Sequence, residues 1–293
     1  MFVGAHVSTS GGLDKAVERG DERGCEAIQI FNQSPRMWRP TNYGEDDFAA
    51  FKEAMESSKV ERVIIHAVYL INCATKDKDL RKKSQAALTH ALRIGDGIGA
   101  AGVVLHPGST KGDPLGPSLK RAGKVIAAAL KDSDRCKLLL EQTAGHKGLI
   151  GRDFDETGEL IDLAGGGERL GLCLDSCHMF VQGYDITDEE HLAAVLDEAD
   201  EKIGIERLGA VHVNDAAAPL GSHRDRHANI GKGEMGRKGL AAFLSEPRFE
   251  GLPATLETPG PEKKGSSKSE VTLAKRLRRE GLKRRERKPP GGR

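Results

Sequence analysis

Short apolar runs that stop at a histidine or a carboxylate recur along this chain, and few folds can use such a pattern. Val63-Ile64-Ile65 stops at His66, Val103-Val104-Leu105 at His106, and Leu138-Leu139-Leu140 at Glu141. Leu172-Cys173-Leu174 is followed by Asp175, Ala210-Val211 by His212, and Thr255-Leu256 by Glu257. A run that is apolar at every position, rather than at alternate ones, is the pattern of a parallel strand covered on both faces. Strand-like runs of this kind recur about eight times, at 2–7, 27–31, 62–67, 102–106, 137–142, 170–175, 208–213 and 253–257.

The intervening segments carry helical spacing. Leu80, Ala87, Leu88, Ala91 and Leu92 form one stripe within 79–98, and Val125, Ile126, Ala129 and Leu130 another within 119–130. Leu192, Val195, Leu196 and Ala199 do the same within 191–203. Ser118 and Asp153 read as N-caps. Strand–helix alternation repeated eight times predicts an α/β (β/α)8 TIM barrel more readily than an open sheet. In such a barrel the C-terminal strand ends converge on one mouth, where the chemistry sits. Residues far apart in sequence would then meet there, and the turn-rich segment 107–117 becomes a loop on that side.

The chain's 293 residues suit one barrel, which takes roughly 250. We expect a single barrel domain over 1–281, closed by a helix over 269–281, and a basic, disordered tail over 282–293. No apolar stretch reaches the roughly 20 residues of a membrane helix, and the start lacks a basic-then-apolar leader pattern. Five cysteines without a C-x-x-C pair fit reduced core residues, so a cytoplasmic, membrane-free protein and a monomer are expected. The net charge of +1 conceals an asymmetry: residues 263–293 carry thirteen Lys/Arg against three Glu, or +10, which leaves −9 for the rest. A basic end on an acidic body is a cue for nucleic acid, with a solvated tail as the bland alternative.

A lone histidine at a strand end is more often a hydrogen-bonded core residue than a ligand. The constellation here is different. Asp175-x-x-His178 aims both side chains at one point in a strand-to-loop turn, and Asp225-x-His227, in extended chain, puts both on one side. Five imidazoles (His66, His106, His178, His212, His227) and four carboxylates (Glu141, Asp175, Asp225, Glu257) suit a multinuclear zinc site. Cys173 and Cys177 sit beside better candidates and are read as core. His6 is read as supporting the site rather than as a ligand, and Gly231-Lys232-Gly233 as a flexible backbone cradle for phosphate, not a P-loop. His90, His146 and His191 are read as surface residues. No Gly-x-Ser-x-Gly elbow supports serine chemistry.

The motifs Gly4-Ala5-His6-Val7-Ser8, His106-Pro107-Gly108-Ser109, Glu141-Gln142-Thr143-Ala144-Gly145 and Cys173-Leu174-Asp175-Ser176-Cys177-His178 occur in order. His212-Val213-Asn214-Asp215, Gly221-Ser222-His223-Arg224-Asp225-Arg226-His227 and Leu256-Glu257-Thr258-Pro259 follow. Together they resemble the endonuclease IV family of apurinic/apyrimidinic (AP) endonucleases from residue 4 to about 260.

The resemblance implies three zinc ions, with manganese an option at one position. His66, His106 and Glu141 would hold the first. Glu141 would bridge to the second, shared with Asp175, His212 and Glu257. His178, Asp225 and His227 would hold the third. It implies Glu141 as a catalytic residue and duplex DNA containing abasic sites as the partner. The expected reaction is cleavage 5′ to the lesion leaving a 3′-hydroxyl, with 3′-end phosphodiesterase activity beside it. Arg36, Tyr69 and Leu70 would enter the duplex, where a missing base makes wedging least costly. Trp38, in the same loop as Arg36, serves equally well as a packing residue. Two other readings compete: a metal-dependent sugar isomerase or epimerase on a similar barrel, and a non-catalytic DNA-binding protein with structural zinc.

Overall fold

A computed structural model describes residues 1–146 and 148–287. The elements run β1 (Phe2–His6), α1 (Asp14–Arg23), β2 (Ala27–Phe31), α2 (Glu45–Glu56), β3 (Arg62–His66), α3 (Lys78–Ile98), β4 (Gly102–Leu105), α4 (Leu115–Lys131), β5 (Leu138–Glu141) and α5 (Phe154–Leu163). They continue with β6 (Leu170–Asp175), α6 (Ser176–Gln182), α7 (Glu189–Ile203), β7 (Leu208–His212), β8 (Asp215–Ala216), β9 (His227–Ala228), α8 (Gly236–Leu244), β10 (Pro253–Leu256) and α9 (Lys268–Arg287). Eight strands close into a barrel in the order β1-β10-β7-β6-β5-β4-β3-β2, and every barrel pairing is parallel. The expected (β/α)8 barrel is therefore the fold, with each strand run where the apolar pattern put it. The remaining pair, β8 and β9, forms a small antiparallel ribbon in the segment between β7 and α8.

The barrel interior explains why ligands and core alternate. Ile64, Val104, Leu139, Cys173 and Ala210 form a separate buried cluster. Strand side chains alternate with period two, so the position two residues on shares the inward face. That position is His66, His106, Glu141, Asp175 and His212 respectively. The plug of apolar side chains therefore carries a layer of metal-type ligands directly above it. The other strand faces pack under the helices in one larger core.

Local expectations fare unevenly. Asp153 caps α5, its side chain accepting from the Glu156 amide. Ser118 caps nothing: α4 starts earlier, after Pro114, and the Ser118 hydroxyl donates to the Pro114 carbonyl. Asp175 and His178 sit at the start of a helix rather than in a loop, with Asp175 as the N-cap of α6.

The largest departure is at the C-terminus. The closing helix does not end at Gly281 but runs to Arg287, through half of the expected disordered tail. In that stretch Arg284 and Arg285 donate to the Lys238 and Ala242 carbonyls of α8, which composition could not reveal. The rest of that tail, 288–293, lies outside the described residues. No described helix is long and apolar enough to cross a membrane.

Candidate metal centre at the barrel mouth

Nine of the sequence-predicted residues come together at the C-terminal ends of the strands. His66, His106 and Glu141 place one ligand atom each within 4.8 Å of one another, as do Glu141, Asp175, His212 and Glu257, and His178, Asp225 and His227. His106 Nε2 lies 3.0 Å, and His66 Nε2 3.3 Å, from Glu141 Oε2. His212 Nδ1 lies 2.9 Å from the other Glu141 oxygen, so this carboxylate reaches two groups at once. Asp225 stands 3.3 Å from both His178 Nε2 and His227 Nε2. Bonds of about 2.0–2.1 Å to a tetrahedral ion set ligand–ligand separations of roughly 3.3 Å. The spacing therefore matches ligands arranged around small cations.

Each of four imidazoles has one nitrogen occupied by a fixed partner, which decides the nitrogen it offers. His66 donates from Nδ1 to the Ala67 carbonyl at 2.7 Å, His178 from Nδ1 to the Gln142 carbonyl at 3.0 Å, and His227 from Nδ1 to the Glu257 carbonyl at 3.3 Å. These three offer Nε2. His212 is reversed: Nε2 donates to Gln29 Oε1 at 2.7 Å, and Nδ1 faces the carboxylates. His66 Nε2, Glu141 Oε2 and His227 Nε2 are buried without a hydrogen-bond partner. A buried carboxylate oxygen left unmet is costly. Divalent cations, one at the His66–His106–Glu141 group and one at the His178–Asp225–His227 group, would satisfy these atoms, so the donor set fits the implied metals.

Electrostatics point the same way. Desolvation alone would raise the Glu141 carboxyl, yet the His106 and His212 imidazoles hold it well below the usual range. Glu257, against the same desolvation, is brought down to about 2 by His212 and His66. Asp225 is lowered, its burial outweighed by hydrogen bonds from His178 and His227. Burial works against charge on His227, but Asp175 and Asp225 lift it to about 9; against the same burial, Asp175, Asp225 and Glu141 raise His178, and Cys173 with Glu257 and Glu141 raises His212. Anionic carboxylates thus gather a positive charge in this pocket. His6 behaves differently, because burial drives it down to about 4, and it belongs to none of the groups.

A fourth group is geometrically possible, Asp175 with Cys177 and His227. The Cys177 thiol is raised by burial and directed at the Arg226 carbonyl at 3.6 Å, so it is a poorer ligand than the imidazole alternatives. All five cysteines are buried and free.

Among the supporting residues, Asn214 was legible as sharing a face with His212 in extended chain, and Gln29 was the least legible. Gln29 is fully buried, accepts from His212 and also donates to Glu257 Oε1 at 2.5 Å. Its only sequence signal is a polar residue at the inward position of the run Ala-Ile-Gln-Ile-Phe. Asn214 donates to Asp175 Oδ2 at 2.6 Å and accepts from the Glu257 amide at 2.9 Å. Two of the three amides of the Gly231–Gly233 segment are committed within the protein: Lys232 N–H donates to the Asn229 carbonyl and Gly233 N–H to Asp215. His146 and His191 are exposed as expected, but His90 is half-buried and within 3.2 Å of the Thr41 hydroxyl.

Beside the ligands, Tyr69 is 60% exposed although its ring packs edge-on against His66 and Phe31. With half-buried Leu70 it lines a cavity of about 430 Å³ that includes His66, His106 and Lys111. Arg36 and Met37 are exposed in the loop after β2, whereas Trp38 packs against the core.

Residues 17–280 match the family model described as "Xylose isomerase-like TIM barrel". The chain is 36% identical over 261 residues to a probable endonuclease 4 of Cenarchaeum symbiosum, covering 88% of this chain and 93% of that relative. It is 35% identical to the probable endonuclease 4 of Halothermothrix orenii, covering 96% and 100%. Among solved structures, endonuclease IV from Thermus thermophilus superposes with a TM-score of 0.81 at 34% identity, covering 97% of this chain and all of that one. An L-ribulose 3-epimerase superposes with a TM-score of 0.68 at 14% identity, which speaks to the fold alone. Sequence identity across nearly the whole chain, together with this fold, places the protein in the endonuclease IV family.

Proposed function

We propose that this protein hydrolyses the phosphodiester 5′ to abasic sites in duplex DNA, leaving a 3′-hydroxyl, with three zinc ions and with 3′-end phosphodiesterase activity. Manganese is an alternative at one position. The observation that carries the reading is the convergence of three ligand groups on one mouth, with Glu141 reaching two of them and buried donor atoms left unmet. Divalent ions bound there would screen phosphate oxygens, make hydroxide available near neutral pH and stabilise the leaving oxygen.

The chain's own residues do the rest. Glu141 holds two groups in register, and its carboxylate is positioned to orient an attacking water. Gln29, Asn214 and the Ala67, Gln142 and Glu257 carbonyls fix which atom each ligand presents. Tyr69 and Leu70, beside His66 and His106, are placed to enter a duplex where a base is missing, with Arg36 as a further DNA contact. With duplex DNA as its substrate the protein would work on the chromosome, and the same proposal has it act as a monomer in the cytoplasm.

The test is metal analysis with cleavage of an abasic duplex before and after chelation, followed by zinc re-addition. The expected product is a 3′-hydroxyl end, lost on chelation and restored by zinc. An intact abasic duplex with zinc-loaded protein, alongside turnover of a free ketose, would replace this reading with the epimerase one.

A further inference from the structure

The strongest cationic feature away from the ligand groups is a groove between α8 and α9. Arg237 and Lys238, at the start of α8, and Lys283, Arg284 and Arg287, at the end of α9, line about 420 Å³ with one carboxylate, Glu280. Arg284 is partly offset by Glu189 at 3.7 Å. Arg237, Lys238, Lys283 and Arg287 are exposed and, among the described residues, have no carboxylate oxygen within 4.0 Å.

Charge runs on helices are commonly just solvated, and three observations separate this one from that case. The cations are held on a rigid frame. A Cβ added at Gly281 would lie 2.2 Å from the Ala241 carbonyl oxygen, so α9 lies directly on α8. Arg285 then ties the pair by donating to Ser245 Oγ at 3.1 Å and pairing with Glu246 at 3.0 Å. A helix pair fixed in this way has less backbone freedom to lose when a ligand arrives.

The basic residues of α9 also divide their work. Lys275 pairs with Glu26, Arg278 with Glu250 and Arg285 with Glu246, which joins the helix to the barrel. Of those lining the groove, only Arg284 is engaged, by Glu189 and the Lys238 carbonyl; Arg237, Lys238, Lys283 and Arg287 are not used in this way among the described residues. Finally, the groove adjoins the mouth. The Arg237 side chain packs against Gly231, where an added Cβ would lie 2.6 Å from its Cγ. Gly231 belongs to the same loop that brings Asp225 and His227 to the metal centre, and the Gly233 amide pins that loop to Asp215.

We infer that this groove is a second nucleic-acid surface, binding the phosphodiester backbone of duplex that flanks the site held at the mouth. Five cations spread over two helices exceed what a single phosphate needs, whereas a duplex presents one charge per roughly 1.7 Å of axis. The inference rests on the DNA reading of the mouth.

The experiment uses the full-length zinc-loaded protein. One variant carries Arg237→Gln, Lys238→Gln, Lys283→Gln and Arg287→Gln. A control removes the same charge elsewhere, with Lys82→Gln, Lys83→Gln, Lys120→Gln and Lys124→Gln on the exposed faces of α3 and α4. Affinity for undamaged duplexes of about 10 and about 30 base pairs is measured over a salt series. Each lost phosphate contact flattens the plot of log affinity against log salt by about 0.9. On the longer duplex the groove variant should lose about 2–4 from the slope and at least about ten-fold in affinity at low salt, with a smaller deficit on the shorter duplex. Slopes equal to wild type, a control that matches the groove variant, or a deficit independent of duplex length would each overturn the inference. If wild type fails to incise an abasic duplex while the groove variant still flattens the slope, the proposed activity falls and the groove reading stands.

Discussion

His212 Nε2 lies 2.7 Å from Gln29 Oε1, and this one hydrogen bond turns the imidazole so that Nδ1, not Nε2, faces Glu141, Asp175 and Glu257. The other carboxamide atom, Nε2, donates to Glu257 at 2.5 Å. A single buried amide therefore orients two members of one ligand group. Outer partners of this kind typically cost roughly 10–100-fold in metal affinity or activity when lost. Gln29→Leu should lower zinc affinity and turnover by roughly that factor, and Gln29→Glu, which keeps an acceptor for His212, should recover part of the affinity. Metal titration and imidazole 15N shifts of the zinc-loaded variants report it. Unchanged affinity and an unchanged His212 signal in Gln29→Leu would show that the amide only fills space.

Glu141→Gln removes a carboxylate that reaches two ligand groups. Its oxygens face His66, His106, His178 and His212, so a neutral amide leaves those imidazoles without their shared anion. Turnover on an abasic duplex should fall by more than the roughly 10–100-fold typical of outer partners, with the fold retained by circular dichroism. Near-normal turnover would remove Glu141 from the mechanism.

Tyr69→Ala with Leu70→Ala should weaken binding of an abasic duplex about ten-fold, or about 1.4 kcal/mol. Zinc content should stay at the wild-type level, because neither side chain belongs to a ligand group. Titration of labelled duplex checks the first and elemental analysis the second. Full zinc with wild-type affinity would leave these residues with a packing role against Phe31 and His66.

Stability toward acid should depend on Asp96. Its carboxylate accepts the amides of Asp134, Arg135 and Cys136 at 2.9, 2.7 and 2.6 Å, pinning the loop between α4 and β5. Desolvation opposes the charge, and those backbone hydrogen bonds outweigh it and lower the carboxyl below its usual value of 3.8. The sign follows from a depressed folded-state value: the contribution is present above about pH 4 and lost as pH falls below it. Asp96→Asn should cost about 1–2 kcal/mol at pH 7 and progressively less in acid. Denaturant melts at pH 7 and pH 3 measure it. An equal loss at both would mean that charge is not what holds the loop.

Deleting the residues after Gly281 should lower the melting temperature by a few degrees, where loss of a solvated tail would leave it unchanged. Arg285 pairs with Glu246, a carboxylate that is almost fully buried, and donates to Ser245. Arg248 still holds Glu246 at 2.7 Å. The expected cost is therefore only about 1–2 kcal/mol. A scan of both proteins decides it. An unchanged melting temperature would mean that the last turns of α9 are held only loosely.

The eight strand runs, and the six candidate ligands that end or follow them, were legible because two local rules act together. A run apolar on both faces marks a parallel strand, and period two fixes which strand-end residue shares the inward face with the plug of Ile64, Val104 and Leu139. Asp225 and His227 were legible by spacing alone. What the tertiary structure decided is everything that depends on a neighbour distant in the chain. Gln29 became a ligand-orienting residue only because barrel closure set it against His212, and Asn214 only because Asp175 and Glu257 arrive beside it. The helix beyond Gly281 was illegible for the same reason. A run of arginines has the composition of a free tail, and it stays helical here where Gly281 and Arg285 dock on α8, a surface that local sequence does not contain.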